Sequence, residues 1–155
     1  MSPRAFALTT KVIQMSNGNY CAWFYRRKCL SELKMSLEEE MEWLRSNFAL
    51  DLQKNYQIWH HRRCIVELLG ADNDFEAEMD FLAQIFAEES KNYHAWSYRI
   101  WLVERFTLYE GELEYAESLL DDDVCNNSAW SYRFFILTKM PDSLYGTLEH
   151  ARSEV

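Results

Sequence analysis

Apolar residues recur at steps of three and four along much of the chain. Residues 37–48 carry Met41, Leu44 and Phe48 at such steps, and residues 75–86 carry a similar set. Because an α-helix turns once every 3.6 residues, this spacing places the apolar side chains on one face and the charged side chains on the other. The pattern predicts an amphipathic helix in each segment.

A longer pattern repeats across the chain. Asn-x-x-x-Trp-x-x-Arg occurs four times, and its tryptophans are separated by 36, 37 and 34 residues. A recurrence of this length is typical of stacked supersecondary units. The four sets are Asn19, Trp23 and Arg26; Asn55, Trp59 and Arg62; Asn92, Trp96 and Arg99; and Asn126, Trp130 and Arg133.

Each unit is predicted to hold two helices, of which the second begins at the repeated asparagine. An asparagine side chain caps a helix by accepting a free backbone N–H, and Gly70 offers a stop for one of these helices. Tryptophan and arginine three residues apart share a helix face, so the indole can fill the space between hairpins while the guanidinium finds a carboxylate or carbonyl. We interpret these residues as structural.

The fold predicted is all-α, a right-handed α-α superhelix of antiparallel helical hairpins. Residues 1–155 form a single helical-repeat domain of about four repeats, with residues 4–15 as the first helix of a leading repeat. Residues 144–155 are predicted to form another helix. A repeat that ends with this helix is incomplete, so we expect a chain truncated at its C-terminus.

Composition narrows the function classes. The formal net charge of −9 opposes binding to a phosphate backbone, so nucleic acid is not expected as a partner. No apolar stretch is long enough for a transmembrane helix, and a cytoplasmic location follows. The four cysteines form no C-x-x-C pair and are predicted to be reduced and structural. The histidines and cysteines show no zinc-ligand spacing, so no metal site is expected in this chain.

Four segments resemble the repeat of protein prenyltransferase α subunits: residues 19–27 (NYCAWFYRR), 54–63 (KNYQIWHHRR), 91–99 (KNYHAWSYR) and 126–135 (NNSAWSYRFF). The α subunit shared by farnesyltransferase and type I geranylgeranyltransferase fits these segments better than the subunit serving Rab proteins. The resemblance implies a heterodimer with a β subunit. Zinc, with magnesium as a second candidate, is expected in that β subunit. The implied reaction transfers a prenyl group from its diphosphate to the cysteine of a C-terminal CaaX sequence.

The resemblance gives Lys54 the role of a catalytic contact to the departing diphosphate. Lys54 immediately precedes the Asn55 cap, where the helix dipole and unpaired N–H groups favour an anion. Taken without the family, Lys54 is more simply a solvated surface lysine. Gln57 matches the family glutamine that binds the CaaX carboxylate, and Tyr56 lies beside it.

The next repeat carries the same local pattern. The resemblance places Tyr93 and His94 near the prenyl diphosphate, and Asn92 at the same helix start completes the predicted substrate-binding set. Ordinary packing explains a capping asparagine with flanking aromatic residues equally well. Gly18 and Cys125 replace the lysine in the first and fourth repeats, which we interpret as structural.

Three alternatives to an active CaaX prenyltransferase subunit stay open. The same solenoid could serve as a scaffold that binds proteins without catalysis. The chain could belong to the Rab enzyme instead, or, being short, could bind no β subunit and lack activity. The occurrence of Lys54, Tyr56 and Gln57 together at one helix start favours the enzyme.

Overall fold

The computed structural model describes residues 1–48 and 54–141, which fold into helices joined by short turns. Over these residues the bounds are α1 Pro3–Met15, α2 Tyr20–Leu33, α3 Leu37–Phe48, α4 Tyr56–Leu69, α5 Phe75–Glu88, α6 Tyr93–Phe106, α7 Glu112–Asp122 and α8 Asn127–Lys139, with a short 3-10 helix at Gly70–Asp72. The all-α prediction is confirmed, as is the start of each predicted amphipathic helix. The helix predicted at 144–155 lies outside the described residues.

The repeated asparagines begin the second helix of every hairpin, as the sequence predicts. Each has an extended backbone, and its side-chain oxygen accepts one or two backbone N–H groups of the first helical turn. The four caps are Asn19, Asn55, Asn92 and Asn126. At the other end of α4, Gly70 has a φ of 58° and its N–H reaches the carbonyl of Val66, so the predicted glycine stop is confirmed.

The backbone separates into two compact units. The first comprises Met1–Ile85 and contains α1 to α4 and most of α5, and the second comprises Phe86–Val155 and contains α6 to α8. Within the first unit α1 packs on α2 and α3 on α4, and within the second α7 packs on α8. The single-domain organisation of the whole chain stays a prediction.

The core of the first unit is built around Trp23, which is completely buried. Its ring lies 4.8 Å from the His61 ring and 5.8 Å from the Phe48 ring, measured between centroids. In the second unit Trp96 packs between Phe86, at 4.2 Å, and Tyr132, at 5.0 Å. Aromatic side chains contribute large buried areas, so these contacts hold consecutive helices together.

The repeated indoles also fix the turn that precedes each capping asparagine. Trp23, Trp96 and Trp130 each donate an Nε1–H to the backbone carbonyl six residues earlier, at 2.7 to 2.8 Å. Trp23, Trp59 and Trp96 are buried, in agreement with their predicted packing role. Trp130 differs, since 45% of it is exposed. Its motif matches the other three, but the described residues leave half of its surface uncovered.

The repeated arginines pair with carboxylates, one of the two partners that the sequence analysis allowed. In the first three repeats the arginine bonds a glutamate from the first helix of the following hairpin through two nitrogens, and both partners are buried. This geometry links consecutive repeats with charge-assisted hydrogen bonds. The pairs are Arg26 with Glu40, Arg62 with Glu78 and Arg99 with Glu112.

The fourth arginine forms a different pair. Arg133 lies on α8 and its Nη2 contacts Glu117 of α7, the helix before it in the same hairpin, at 3.1 Å. The side chains of this pair are 29% and 36% exposed. Water competes for both charges there, so loss of one partner should cost less stability than in the buried pairs.

His61 joins the first of the buried pairs. Its Nε2 lies 2.8 Å from Glu40 Oε1, which also accepts from Arg26. Burial lowers the pKa of His61 below its ordinary value, and the hydrogen bond with Glu40 opposes this only in part. Burial would raise the pKa of Glu40, but the hydrogen bonds of His61 and Arg26 hold that pKa below its ordinary value. The folded state therefore contains a neutral imidazole and an ionised carboxylate.

We expect this network to make stability depend on pH. The unfolded His61 binds a proton below its ordinary pKa of 6.5, whereas the folded one resists it, so the free energy of unfolding should fall as pH drops through 6.5. One such proton corresponds to at most about 1.4 kcal/mol per pH unit. Urea unfolding between pH 7 and pH 5 should show a shallower decline for His61→Gln, which keeps a donor but does not titrate. His60→Gln, at the exposed neighbouring position, should keep most of the decline; equal slopes in all three proteins would contradict the prediction.

The cysteines are free, as predicted, but only one is a core residue. Cys29 is buried and Cys64 is half-buried, whereas Cys21 and Cys125 are exposed. The structural role predicted for the thiols therefore fits Cys29 alone in full. An apolar stretch on a helix does not reveal which of its positions the neighbouring helices cover, and Cys21 stays exposed.

Among the described residues, no helix is both long and apolar enough to cross a bilayer.

Candidate functional site

The predicted catalytic lysine lies at the beginning of α4. Lys54 is exposed and occupies the turn immediately before Asn55, the residue that caps the helix. The next residue, Tyr56, is 69% exposed. The N-terminus of a helix carries a partial positive charge, and a lysine beside it strengthens the attraction for an anion. This end of the first unit is therefore suited to a negatively charged group.

Gln57 follows in the first turn of α4 and is half-buried. Its backbone N–H donates to Asn55 Oδ1 at 2.9 Å, so the cap fixes the position of this residue. Its side-chain Oε1 is buried and has no hydrogen-bond partner in the described part of the chain. The amide also carries two N–H donors, which are the groups that a carboxylate ligand would require.

The cap itself is tied to the preceding repeat. Asn55 Nδ2 donates to Asn17 Oδ1 at 2.7 Å, across 38 residues of sequence. Asn17 belongs to the loop between α1 and α2, and its carbonyl accepts the Trp23 indole N–H. The sequence motifs do not single out Asn17, because the residues at the equivalent positions of the third and fourth repeats are Ser90 and Val124, neither of which has an amide side chain.

The second predicted group lies at the beginning of α6, in the other compact unit. Asn92 is buried and caps the helix, whereas Tyr93 is 71% exposed. The Tyr93 and His94 rings meet edge to face at 5.6 Å, and burial lowers the pKa of His94. Lys91, at the position equivalent to Lys54, lies 3.6 Å from Asp123. The predicted residues at the start of α4 therefore lie together in the first unit. Those at the start of α6 lie together in the second unit.

A cavity of about 570 Å³ opens in the second unit beside the starts of α6 and α8. Its lining combines aromatic rings with hydroxyl groups and the Lys91 ammonium. The lining residues are Lys91, Tyr93, Trp96, Ser97, Ile100, Asn127, Ser128, Ser131 and Tyr132. Tyr93, one of the predicted substrate-binding residues, thus borders this cavity.

The described residues contain no cluster of three or more His, Cys, Asp or Glu side chains able to hold a metal ion. His60 and His61, adjacent in sequence, face different environments, the first exposed and the second buried against Glu40. His60 lies 3.7 Å from Cys64 Sγ, which is a two-residue contact and too few ligands for zinc. These residues do not fit a zinc site.

Comparison with known proteins identifies the repeat. The protein prenyltransferase alpha subunit repeat matches residues 2–33, 37–69, 75–106 and 109–140, one match for each hairpin. The chain is 42% identical over 67 residues to the protein farnesyltransferase/geranylgeranyltransferase type-1 subunit alpha of Schizosaccharomyces pombe, covering 43% of this chain and 22% of that protein. It is 40% identical over 113 residues to the protein of the same name from Candida albicans, covering 70% and 37%.

More distant relatives have a different name. The geranylgeranyl transferase type-2 subunit alpha of Dictyostelium discoideum is 30% identical over 106 residues, covering 61% of this chain and 33% of that protein. In these comparisons the type-1 subunits are thus more similar to this chain than the type-2 subunit. The sequence motifs predict the same order.

The fold has a close counterpart among solved structures. A chain of Candida albicans protein geranylgeranyltransferase-I complexed with GGPP superposes with a TM-score of 0.78 at 40% identity, covering 87% of this chain and 47% of that one. The chain thus spans less than half the length of each of these relatives. Because the repeat matches extend over most of its residues, the chain belongs to the protein prenyltransferase α subunit family.

Proposed function

We propose that this chain acts in the α subunit of a CaaX protein prenyltransferase. In a heterodimer with a β subunit, it assists transfer of a farnesyl or geranylgeranyl group to the cysteine near the C-terminus of a substrate protein. The observation that carries the proposal is the exposed Lys54 at the capped start of α4, with Tyr56 and Gln57 in the next two positions. The 40 to 42% identity to the type-1 α subunits supports it.

The chemistry explains why a lysine is needed at this point. The bond between the prenyl carbon and the diphosphate oxygen breaks while a carbon–sulfur bond forms, so negative charge grows on the departing diphosphate. A fixed cation stabilises that charge more in the transition state than in the ground state, which raises the rate. We assign this role to Lys54, assisted by the dipole of α4.

The remaining predicted residues bind substrate in this proposal. Gln57 bonds the C-terminal carboxylate of the CaaX peptide through its amide, and the exposed Tyr56 lines the junction with the β subunit. Asn92 positions the start of α6, from which Tyr93 and His94 approach the prenyl diphosphate. Burial lowers the pKa of His94, which favours a neutral imidazole that can donate a hydrogen bond to the diphosphate.

The metal chemistry belongs to the partner in this proposal. Zinc, with magnesium as the second candidate, would activate the thiol, and the family resemblance assigns it to the β subunit. A cytoplasmic heterodimer without nucleic acid completes the proposal.

Co-expression with a farnesyltransferase or type I geranylgeranyltransferase β subunit tests the function. We expect the two chains to co-purify and to transfer a labelled prenyl group to a CaaX peptide. Binding without transfer would favour the scaffold interpretation. Failure of the chain to bind either β subunit, while the Candida albicans α subunit binds under the same conditions, would contradict the proposal.

Replacing Gln57 by alanine should raise the KM for the CaaX peptide about ten- to a hundredfold, the range expected for one lost hydrogen bond to a charged group. The kcat should change little, since the carboxylate is bound equally in the ground and transition states. Gln14→Ala, at an exposed position of α1, provides the matched control. A peptide KM that is unchanged in the heterodimer would contradict the assignment.

A further inference from the structure

We propose that Asn17 is a positioning residue for the prenyl transfer reaction, although it lies 37 residues before Lys54 in the sequence. Asn17 occupies the loop between α1 and α2, in the same compact unit as α4. Through a hydrogen bond with Asn55 it sets the start of the helix that carries the candidate site. This inference rests on the proposed function, because the position of Lys54 affects catalysis only if Lys54 contacts the diphosphate.

The backbone of Asn17 is held by the core of the repeat. Its carbonyl accepts the Trp23 Nε1–H at 2.7 Å. Trp23 is completely buried and packs against the His61 and Phe48 rings. A buried, packed indole has little freedom to move, so the carbonyl that it bonds is fixed with it. Asn17 is therefore a rigid reference point and not a mobile loop residue.

The side chain of Asn17 connects this fixed backbone to the start of α4. Asn17 Oδ1 accepts from Asn55 Nδ2 at 2.7 Å, while Asn55 Oδ1 accepts from the N–H of Gln57 at 2.9 Å. The amide group of Asn55 is planar, so fixing its nitrogen also fixes the orientation of its oxygen. The cap therefore has one defined orientation, set by the preceding repeat.

The corresponding cap of the third repeat makes a local hydrogen bond. Asn92 Nδ2 donates to Glu89 Oε2 at 3.2 Å, only three residues earlier in the chain. That bond lies within one turn, whereas the bond between Asn55 and Asn17 joins two hairpins at the cap beside Lys54.

A displaced cap would move the catalytic charge. Lys54 precedes Asn55 directly, and consecutive Cα atoms are separated by about 3.8 Å, so a shift of one carries the other. Catalysis is sensitive to such shifts, since misplacement of a group by about 1 Å can cost a large factor in rate. Loss of the Asn17 bond should therefore reduce kcat while the heterodimer still assembles.

The test uses the assembled heterodimer and reports kcat per heterodimer at saturating substrates. Asn17→Ala removes the acceptor, and Asn55→Ser keeps a good helix cap but lacks the donor that reaches Asn17. We expect each variant to lower kcat about three- to tenfold, the range for one hydrogen bond, and the double variant to be no slower than the slower single variant. Gly18→Ala, in the same loop, should match wild type because its added Cβ would meet no atom within 4 Å.

A second comparison separates positioning from simple destabilisation. In a Lys54→Ala background, Asn17→Ala should change kcat less than about twofold, since the charge that it positions is gone. A destabilising effect would instead lower the yield or thermal stability of the heterodimer and would leave kcat per heterodimer unchanged. If Asn17→Ala does not assemble, the reduced kcat expected of Asn55→Ser decides the question.

The outcomes distinguish this inference from the proposed function. A wild-type heterodimer without transfer activity, or a Lys54→Ala variant with wild-type kcat, would overturn the assignment of Lys54 and the role of Asn17 with it. An impaired Lys54→Ala variant beside Asn55→Ser at wild-type kcat would overturn the role of Asn17 alone. Equal losses from Asn17→Ala in the wild-type and Lys54→Ala backgrounds would also overturn it.

Discussion

Replacement of Lys54 by alanine in the assembled heterodimer should lower kcat more than about tenfold, the effect of removing one preorganised charge from the site where negative charge develops. The lysine is exposed at the start of α4, and the helix dipole adds to its field. The lost stabilisation belongs to the transition state, so kcat should fall more than the affinity for the prenyl diphosphate. Single-turnover and steady-state kinetics with a CaaX peptide measure both quantities.

Two further variants make this result specific. Lys54→Arg keeps a positive charge at the start of α4, although with a different shape, and should retain more activity than Lys54→Ala. Lys11→Ala removes one positive charge from an exposed position of α1 and should leave kcat unchanged. Wild-type kcat in Lys54→Ala would remove Lys54 from the mechanism.

The helices could be predicted because their signals are local. An amphipathic pattern and a capping asparagine act within one or two turns, and Asn55 and Asn92 begin helices for this reason. The same locality places Lys54 correctly at the start of α4. The family motif then gave this position a chemical role that its surroundings alone did not.

The partners of the buried arginines could not be predicted in the same way. Arg26 and Arg62 reach carboxylates 14 and 16 residues later, on another helix. Several acidic residues lie within that distance, and only the packing of the helices decides which of them is buried. Trp130 shows the same limitation, since its motif equals that of Trp23 but its burial depends on which side chains cover it.

The connection between Asn17 and Asn55 is the part of the candidate site that sequence patterns miss most completely. It joins two loops 38 residues apart, and its length of 2.7 Å depends on how two hairpins stack. Motif comparison identifies residues that contact a ligand in relatives. It gives no information about a residue that acts by holding another one in place.

The largest expected effect on stability comes from Glu112, at the start of α7. Its two oxygens bond Nη2 and Nε of Arg99 at 2.7 and 2.8 Å, and it also accepts from the Tyr132 hydroxyl. Burial would lower the pKa of Arg99, but the hydrogen bonds and charge of Glu112 raise it. Glu112→Ala leaves a buried guanidinium without its counter-charge and should lower the free energy of unfolding by about 3–5 kcal/mol. Urea unfolding monitored by helical circular dichroism measures the loss.

The same helix provides the matched control. Glu117 pairs with Arg133 where both side chains are partly exposed, so Glu117→Ala should cost no more than about 1 kcal/mol. A double variant, Arg99→Met with Glu112→Leu, should be less destabilised than Glu112→Ala alone, because it removes both charges and leaves neither buried without a partner. If Glu112→Ala and Glu117→Ala cost the same, the buried pair is not what links α6 to α7. The repeated arginine would then stabilise the hairpins through its stacking on aromatic rings, which in this repeat is the contact of Arg99 with Tyr115 at 3.8 Å.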